Sequence, residues 1–169
     1  MLSDLDLPTT VTVRIGEVTV RRAKPTDLPA LMALLADDPV SAARGDRADA
    51  SDERTYATAL RSVLEAPSND LIVVDDAAGV VIGTLQLTVI PGMARQGATR
   101  LLVEAVRVSS SVRSGGIGSA VMRWVMHVAA PATGAALVQL TSDAARVDAH
   151  RFYTRLGFAD SHVGFKYAL

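Results

Sequence analysis

The sequence predicts a mixed fold in which strands and helices share one domain, of the α+β or mixed α/β class. Two observations predict it. Short runs of apolar residues, some alternating with polar ones, are interleaved with segments whose apolar residues recur at helical spacing. In addition, residues 99–142 have the pattern of a strand, a helix and a strand, which is one βαβ crossover. A length of 169 residues suits a single domain, 1–169.

Composition narrows the function classes. Hydrophobic residues make up 49% of the chain and charged residues 21%, which is typical of a folded globular protein. A net charge of −1 gives no case for nucleic acid as a partner, because phosphate binding usually needs an excess of Lys and Arg. With no Cys and three unclustered His, no metal site is expected. No apolar run reaches the roughly 18 residues of a membrane span, so we expect no membrane partner and a cytoplasmic location.

The first half of the chain predicts one strand or a short hairpin, then two helices. Residues 11–23 alternate around Gly16, as a strand or hairpin does. Thr26 and Ser51 are predicted to cap the two helices, and the polar stretch 37–50 between them is predicted to be an exposed loop. The inward faces of the helices would be Leu28, Leu31, Met32 and Leu35, and Tyr56, Leu60, Val63 and Leu64.

The second half predicts strands that alternate with helices. The predicted strands are 71–74, 80–90, 99–108 and 136–142, and the predicted helices are 117–129 and 146–156. The inward face of the first of these helices would be Ile117, Val121, Trp124, Val125 and Val128. Gly157 ends the last helix, and the tail 158–169 is expected to add one or two closing strands.

A glycine-dense turn, "VRSGGIGSAVMRW" at 112–124, leads directly into the helix that follows the third of these strands. The first N–H groups of a helix are unpaired and lie at the positive end of its dipole, so they suit an anion. Gly115, Gly116 and Gly118 would let a phosphate approach the backbone, and Arg113 adds positive charge. The alternative is that these glycines only form a tight turn between strand and helix.

Three phosphate-binding motifs compete for this turn. A P-loop requires a Gly-Lys pair, which the chain lacks. The dinucleotide motif G-x-G-x-x-G fails at its third glycine, where Val121 stands, although Asp143 could imitate its ribose-binding acid. The third motif, R-x-x-G-x-G, is complete in Arg113, Gly116 and Gly118.

This third motif resembles the acyl-CoA pyrophosphate loop of the GNAT superfamily of N-acetyltransferases. A second motif supports the resemblance, because Ala149, Tyr153, Gly157 and Phe158 match A-x-x-x-Y-x-x-x-G-F in the expected order. The likeness covers 18–169, with 99–158 as its cofactor-binding and catalytic core, and leaves 1–17 as an unexplained extension. One departure is "SSSVRSG", where many relatives have an acidic-proline turn followed by "RG".

The resemblance implies a mostly antiparallel, twisted sheet of six to seven strands with about four helices, splayed where acetyl-CoA binds. It implies that a bulge in the strand before the loop frees a backbone N–H for the oxyanion and makes room for the pantetheine arm. The cofactor-binding residues would be Val106, Arg107, Val108, Arg113, Ser114, Gly115, Gly116, Ile117, Gly118 and Ser119.

Two residues are candidate catalytic groups. Glu104 is a carboxylate with Leu102 and Val106 expected on its own strand face, and relatives often carry a base at this position. Tyr153 is the candidate general acid, since a phenol can protonate a thiolate. The structural alternatives are an ion pair of Glu104 with Arg100 or Arg107, and a packed Tyr153 with its hydroxyl at the rim of the core.

The expected function is transfer of an acetyl group from acetyl-CoA to a primary amine of a small molecule, by direct attack in a ternary complex. Acidic residues near the first loop would favour a cationic acceptor; they are Asp37, Asp38, Asp46, Asp49 and Asp52. The alternatives are a non-catalytic acyl-CoA-binding or regulatory module and a nucleotide-binding oxidoreductase. A homodimer is implied by analogy alone.

Overall fold

A computed structural model describes residues 1–169 and contains one six-stranded sheet. The strands lie in chain order, and all neighbours are antiparallel except the last pair, which is parallel. They are β1 (Thr9–Val13), β2 (Gly16–Arg22), β3 (Asn69–Asp75), β4 (Val81–Ile90), β5 (Arg100–Val108) and β6 (Leu137–Leu140). The predicted mixed fold with a mostly antiparallel sheet is confirmed.

Five α-helices of at least five residues flank the sheet. They are α1 (Leu28–Ala36), α2 (Pro39–Ala43), α3 (Glu53–Glu65), α4 (Ile117–Trp124) and α5 (Val147–Arg155). Four short 3₁₀ turns occur at Leu2–Asp4, Pro25–Asp27, Ala50–Asp52 and Ser110–Val112. None of the helices combines the length and the hydrophobicity needed to cross a membrane.

The sheet carries an apolar core on each face. Ile72 and Val74 belong to a cluster of 19 buried residues that includes the inward face of α4. Val73, which points the other way, belongs to a cluster of 6 that includes residues of α1 and α3. The alternation along β3 therefore separates the α4 face from the α1–α3 face.

The first two helices form where predicted, but neither has a side-chain cap, and the carboxylates nearby stabilise the 3₁₀ turns before them instead. The Asp27 carboxylate, rather than Thr26, accepts a hydrogen bond from the Lys24 amide at 2.7 Å. Asp49, rather than Ser51, is the acceptor before α3, and it receives the Ser51 amide at 2.8 Å. The buried face of α1 also differs by one position, since Leu34 is buried and Leu35 is only partly so.

The prediction that 37–50 is an exposed loop is wrong in part, because α2 lies within it. The Asp38 carboxylate accepts the Ser41 amide at 2.9 Å, and Pro39 occupies the first helical position. An acidic cap followed by proline is a helix-start signal, since proline lacks only an N–H that would be unpaired there.

Helix α4 continues past Trp124 as one π turn, Val125–Ala129, and ends with Ala130–Ala132. A π turn adds a residue to the helical repeat and rotates everything that follows. Ala129 is consequently fully buried, whereas Val128, predicted to face inward, is 51% exposed.

The tail does not form the closing strands expected of it. Its apolar residues alternate as in a strand, but all are strongly exposed: Val163, Phe165, Tyr167 and Leu169. Alternation makes a strand only where a sheet edge pairs with it, and the sheet ends at β6. Residues 1–17, in contrast, join the fold, because β1 is the other edge of the sheet.

Candidate active site

Strand β5 contains a bulge at Ala105 and Val106. On β4, Thr84 and Gln86 are separated by one residue, but their partners Arg107 and Glu104 are separated by two. Ala105 has a φ of +50°, which is unusual for a residue with a side chain. The bulge thus lies where the resemblance implied, displaced by one residue from the start of the expected stretch Val106–Val108.

The bulge changes which side chains share a face. Val106 and Val108 pack against the core cluster of the α4 face, with Leu101 and Val103. Arg107 therefore points to the opposite face, where its guanidinium Nη2 donates to the Ser41 hydroxyl of α2 at 2.5 Å. The expectation that Val106 flanks Glu104 is wrong, because the extra residue of the bulge reverses the alternation.

The last two strands separate at the bulge. Pairing of β5 with β6 runs from Arg100 and Leu137 to Val103 and Leu140, although β5 continues to Val108. Two buried polar side-chain atoms without a partner flank this gap, namely Arg107 Nε on β5 and Ser142 Oγ just past β6. Buried polar atoms are usually hydrogen-bonded, so the pair marks a place where a ligand can supply partners.

The glycine turn leaves a row of backbone amides without protein partners. Ser114 and Gly116 have φ values of +71° and +85°, and Gly116 is the N-cap of α4. The amides of Ser114 and of residues 116–119 donate to no protein acceptor, whereas the Gly115 amide donates to the Val112 carbonyl at 3.2 Å. The free amides therefore lie at the positive end of the helix dipole, as anion binding requires.

The N-terminal hairpin holds this turn in place. The Arg14 amide donates to the Gly115 carbonyl at 3.0 Å. A Cβ atom built on Gly115 would lie 3.0 Å from Ile15 Cδ1, and one on Gly116 would lie 3.4 Å from the Arg14 backbone nitrogen. Close contact therefore disfavours a side chain at Gly115, whereas at Gly116 the left-handed φ requires glycine.

The guanidinium of Arg113 lies beside an acid. Its Nη2 is 3.8 Å from Asp37 Oδ2, and it donates to the Asp37 carbonyl at 3.4 Å. Asp37 also accepts the amide and the hydroxyl of Ser110, at 2.6 and 2.8 Å. These contacts hold the pKa of Asp37 below its ordinary value and tie the loop before α4 to the end of α1.

Glu104 lies on a polar surface rather than the apolar one expected. Its side chain is exposed, and its partner across the strands is Gln86. The side-chain Oδ1 of Asn69 on β3 accepts hydrogen bonds from Gln86 Nε2 at 3.0 Å and Thr88 Oγ1 at 2.6 Å. No ion pair occupies Glu104, so the alternative of a salt bridge with Arg100 or Arg107 is not what the structure shows.

Tyr153 is held by aromatic packing on α5. Its ring contacts Phe152 and Phe158 edge to face, with centroids 5.1 and 5.7 Å apart. Burial raises the pKa of the Tyr153 hydroxyl, and the positive charges of Arg107 and Arg146 oppose that rise. The hydroxyl is therefore protonated at neutral pH, as a general acid must be.

The second motif has a structural explanation at the end of α5. Gly157 has a φ of +95°, and the Phe158 amide returns to the Tyr153 carbonyl at 3.1 Å. This arrangement terminates the helix and places the Phe158 ring against Tyr153. Phe152 on the same helix would contact a Cβ atom at Gly118 at 3.5 Å, so α5 also borders the glycine turn.

One cluster was not predicted from the sequence. Asp38 forms a two-fold hydrogen-bonded ion pair with Arg146, in which Nη1 is 2.7 Å from Oδ2. Asp38 also caps α2, whose Ser41 contacts Arg107. The Asp-Pro helix start was the available signal for α2, but no local pattern indicates its contact with β5.

The comparisons with known proteins agree with this geometry. The model of the acetyltransferase (GNAT) family matches residues 28–158. An aminoalkylphosphonate N-acetyltransferase of Salmonella typhimurium is 39% identical over 67 residues, which are 40% of this chain and 43% of that protein. The matched segment therefore spans less than half of the relative.

Solved structures extend the likeness to nearly the whole chain. A protein from Bacillus halodurans C-125, described as a transcriptional regulator, has a TM-score of 0.84 and 37% identity over 90% of this chain and 99% of its own. An acetyltransferase of Trypanosoma brucei has the same fold, with a TM-score of 0.69 and 21% identity over 90% and 99% of the two chains. Taken with the family match over most of its length, these results show that the chain belongs to the acetyltransferase (GNAT) family of acyltransferases.

Proposed function

We propose that the protein transfers an acetyl group from acetyl-CoA to a primary amine of a small molecule. The observation that carries the proposal is the row of free amides at residues 116–119, at the start of a helix beside the opening between β5 and β6. Such a row suits a diphosphate, and an opened strand pair accepts an extended chain such as pantetheine. Acetyl-CoA supplies the acetyl thioester.

Each part of the site has one task in this proposal. The amides of Ile117, Gly118 and Ser119 hold the diphosphate, and the backbone from Val106 to Val108 lines the acetyl-bearing arm. Glu104 accepts the proton of the amine, directly or through water, while the amine attacks in a ternary complex. Tyr153 donates a proton to the departing thiolate, for which its raised pKa keeps it protonated.

Turnover with simple amines tests the proposal. Free thiol release from acetyl-CoA would be followed with a panel of amino acids, polyamines, aminoalkylphosphonates and aminoglycosides. We expect thiol release with at least one class and acetylated product of matching mass. Binding of acetyl-CoA with no turnover across the panel would contradict the proposal.

A second candidate is a non-catalytic acyl-CoA-binding module. The observation that favours it is the similarity to the Bacillus halodurans protein described as a transcriptional regulator. Such a module has no use for a proton acceptor and a proton donor, so the presence of Glu104 and Tyr153 favours the enzyme. Calorimetry with acetyl-CoA, combined with the turnover panel, separates the two functions.

A further inference from the structure

Most acidic residues of the first loop are engaged in hydrogen bonds or ion pairs within the protein. Asp37 binds Ser110 and Arg113, Asp38 binds Arg146, and Asp46 accepts the Tyr56 hydroxyl at 2.9 Å. Asp49 accepts the Ser51 amide. Four of the five carboxylates expected to attract a cationic acceptor thus already have partners within the protein.

Arg107, next to the bulge of β5, in contrast has no carboxylate partner. Arg107 donates to the Ser41 hydroxyl at 2.5 Å and to the Val106 carbonyl at 2.8 Å, both neutral oxygens, and its Nε has none. A guanidinium has five N–H groups, so donors remain available on both terminal nitrogens. The closest acid, Asp38, pairs with Arg146 instead.

Arg107 is half-buried and forms no ion pair, which is unusual because a desolvated cation is destabilising unless an anion compensates it. Burial lowers the pKa of the Arg107 guanidinium, the charge of Asp38 opposes this effect, and the charge of Arg146 lowers the pKa further. A cation with an unpartnered N–H and no ion pair is a candidate for binding an anionic ligand.

The bulge of β5 brings this cation to the acceptor side of the site. It places Arg107 on the same sheet face as Glu104, three positions along the strand. The charge of Arg107 also acts on the Tyr153 hydroxyl. An amine directed to Glu104 therefore approaches the sheet face that carries the guanidinium.

We propose that Arg107 binds an anionic group on the acceptor itself, so that the substrates are short primary amines carrying a carboxylate or phosphonate. This inference rests on the proposed function and names its substrate class. A planar guanidinium suits both anions, since each offers two oxygens to its parallel N–H groups. The amine end of the same molecule then faces Glu104.

Matched amines provide the test. Thiol release from acetyl-CoA would be compared for 2-aminoethylphosphonate, β-alanine, propylamine and 1,3-diaminopropane. Charge-assisted hydrogen bonds contribute about 1.5–3 kcal/mol, so we expect kcat/KM for the two anionic amines to exceed that for propylamine by roughly 10- to 100-fold. In Arg107→Gln this ratio should fall close to one. Arg107→Lys keeps the positive charge but lacks the planar guanidinium with its parallel N–H groups, so it should give an intermediate ratio.

Arg100→Gln is the matched control, because Arg100 is an exposed arginine on the same strand and has no ion pair. It should keep the wild-type ratio. Equal kcat/KM for anionic and neutral amines in the wild type would overturn the inference. So would an Arg107→Gln enzyme that keeps the ratio and instead has a raised KM for acetyl-CoA, because the guanidinium would then serve the cofactor.

A direct binding measurement separates this inference from the proposed function. Methylphosphonate would be titrated into wild type and into Arg107→Gln by calorimetry, with circular dichroism to confirm that the variant is folded. Binding to the wild type and its loss in the variant support the Arg107 site even if no amine is acetylated. Absence of binding to the wild type overturns it even if amines are acetylated.

Discussion

Ala105 determines which residues of β5 reach the acceptor side. In a regular strand Glu104 and Arg107 would lie on opposite faces, because successive side chains alternate. The left-handed φ of Ala105 inserts one extra residue and brings the two onto one face. The proposed site therefore depends on the backbone conformation of Ala105, which the identities of Glu104 and Arg107 do not reveal.

At the scale of single residues, Tyr153→Phe tests the general acid. Removing only the hydroxyl should lower kcat by about 10- to 1,000-fold and leave the Kd of acetyl-CoA nearly unchanged, since the ring still packs between Phe152 and Phe158. Steady-state thiol release and calorimetry measure the two quantities. Tyr167→Phe, in the exposed tail, is the matched control. An unaltered kcat in Tyr153→Phe would remove the hydroxyl from the chemistry.

Glu104→Gln tests the proton acceptor through its pH profile. Without the carboxylate the enzyme depends on amine that is already neutral, so kcat/KM should keep rising with pH up to the pKa of the amine, about 10. The wild type should level off earlier. The exposed Glu17 on β2 offers Glu17→Gln as a control. Superimposable pH profiles for Glu104→Gln and wild type would exclude Glu104 as the base.

Residue types and spacing predicted the two motifs, but not how the residues meet. Arg113, Gly116 and Gly118 are recognisable in sequence because a phosphate turn needs glycine and positive charge at fixed positions. The absence of an ion pair at Arg107 could not be predicted from the sequence. It depends on the bulge and on the ion pair between Asp38 and Arg146, which are far apart in the chain. Long-range partners leave no local pattern.

At the scale of elements, the glycine turn and α4 act as one unit. Gly118 precedes the paired part of the helix, and a side chain there meets Phe152 at an ordinary contact distance. Gly118→Asp should therefore fold, yet its negative charge at the free amides should weaken acetyl-CoA binding by at least about 10-fold, as expected of charge at a helix N-terminus next to an anion.

Calorimetry with acetyl-CoA measures this effect. Gly164→Asp introduces the same change in the tail, where a Cβ atom meets nothing within 4 Å, and should bind as the wild type does. Undiminished affinity in a folded Gly118→Asp protein would show that the diphosphate does not bind at this helix.

Helices and strands were predictable wherever their own residues determine them, as in α3, where every predicted inward residue is at least partly buried. The errors fall where a neighbouring element decides. A π turn rotates Val128 toward solvent. The C-terminal tail has alternating apolar and polar residues but pairs with no strand of the sheet. Periodicity reports which face is apolar, but not whether a partner covers it.

At the scale of the whole molecule, acid stability depends on a buried charge cluster beneath α1. Arg21 donates to both oxygens of Asp27, at 2.7 and 3.0 Å, and to Asp75. The hydrogen bonds from Arg21 hold the pKa of Asp27 below its ordinary value, against the opposing effect of burial. A lowered folded-state pKa stabilises the fold above about pH 4, and this contribution disappears as the pH falls through the folded-state value.

Asp27→Asn should consequently lower the melting temperature at pH 7. A loss of roughly 1–3 kcal/mol is expected for a buried hydrogen-bonded partner, at about 2–4 °C per kcal/mol for a chain of this size. The difference from wild type should shrink as the pH falls below about 4. Thermal denaturation followed by circular dichroism at several pH values measures it, with the exposed Asp160→Asn as control. A difference that stays constant with pH would contradict the assignment.

The hydrogen bond from Arg14 to Gly115 joins the first hairpin to a turn that is distant in sequence. The turn therefore reaches its final shape only after strands from both halves of the chain have assembled, and closing such a long loop is slow. In a refolding experiment, affinity for acetyl-CoA should return with the slowest phase, after most of the helical signal has recovered.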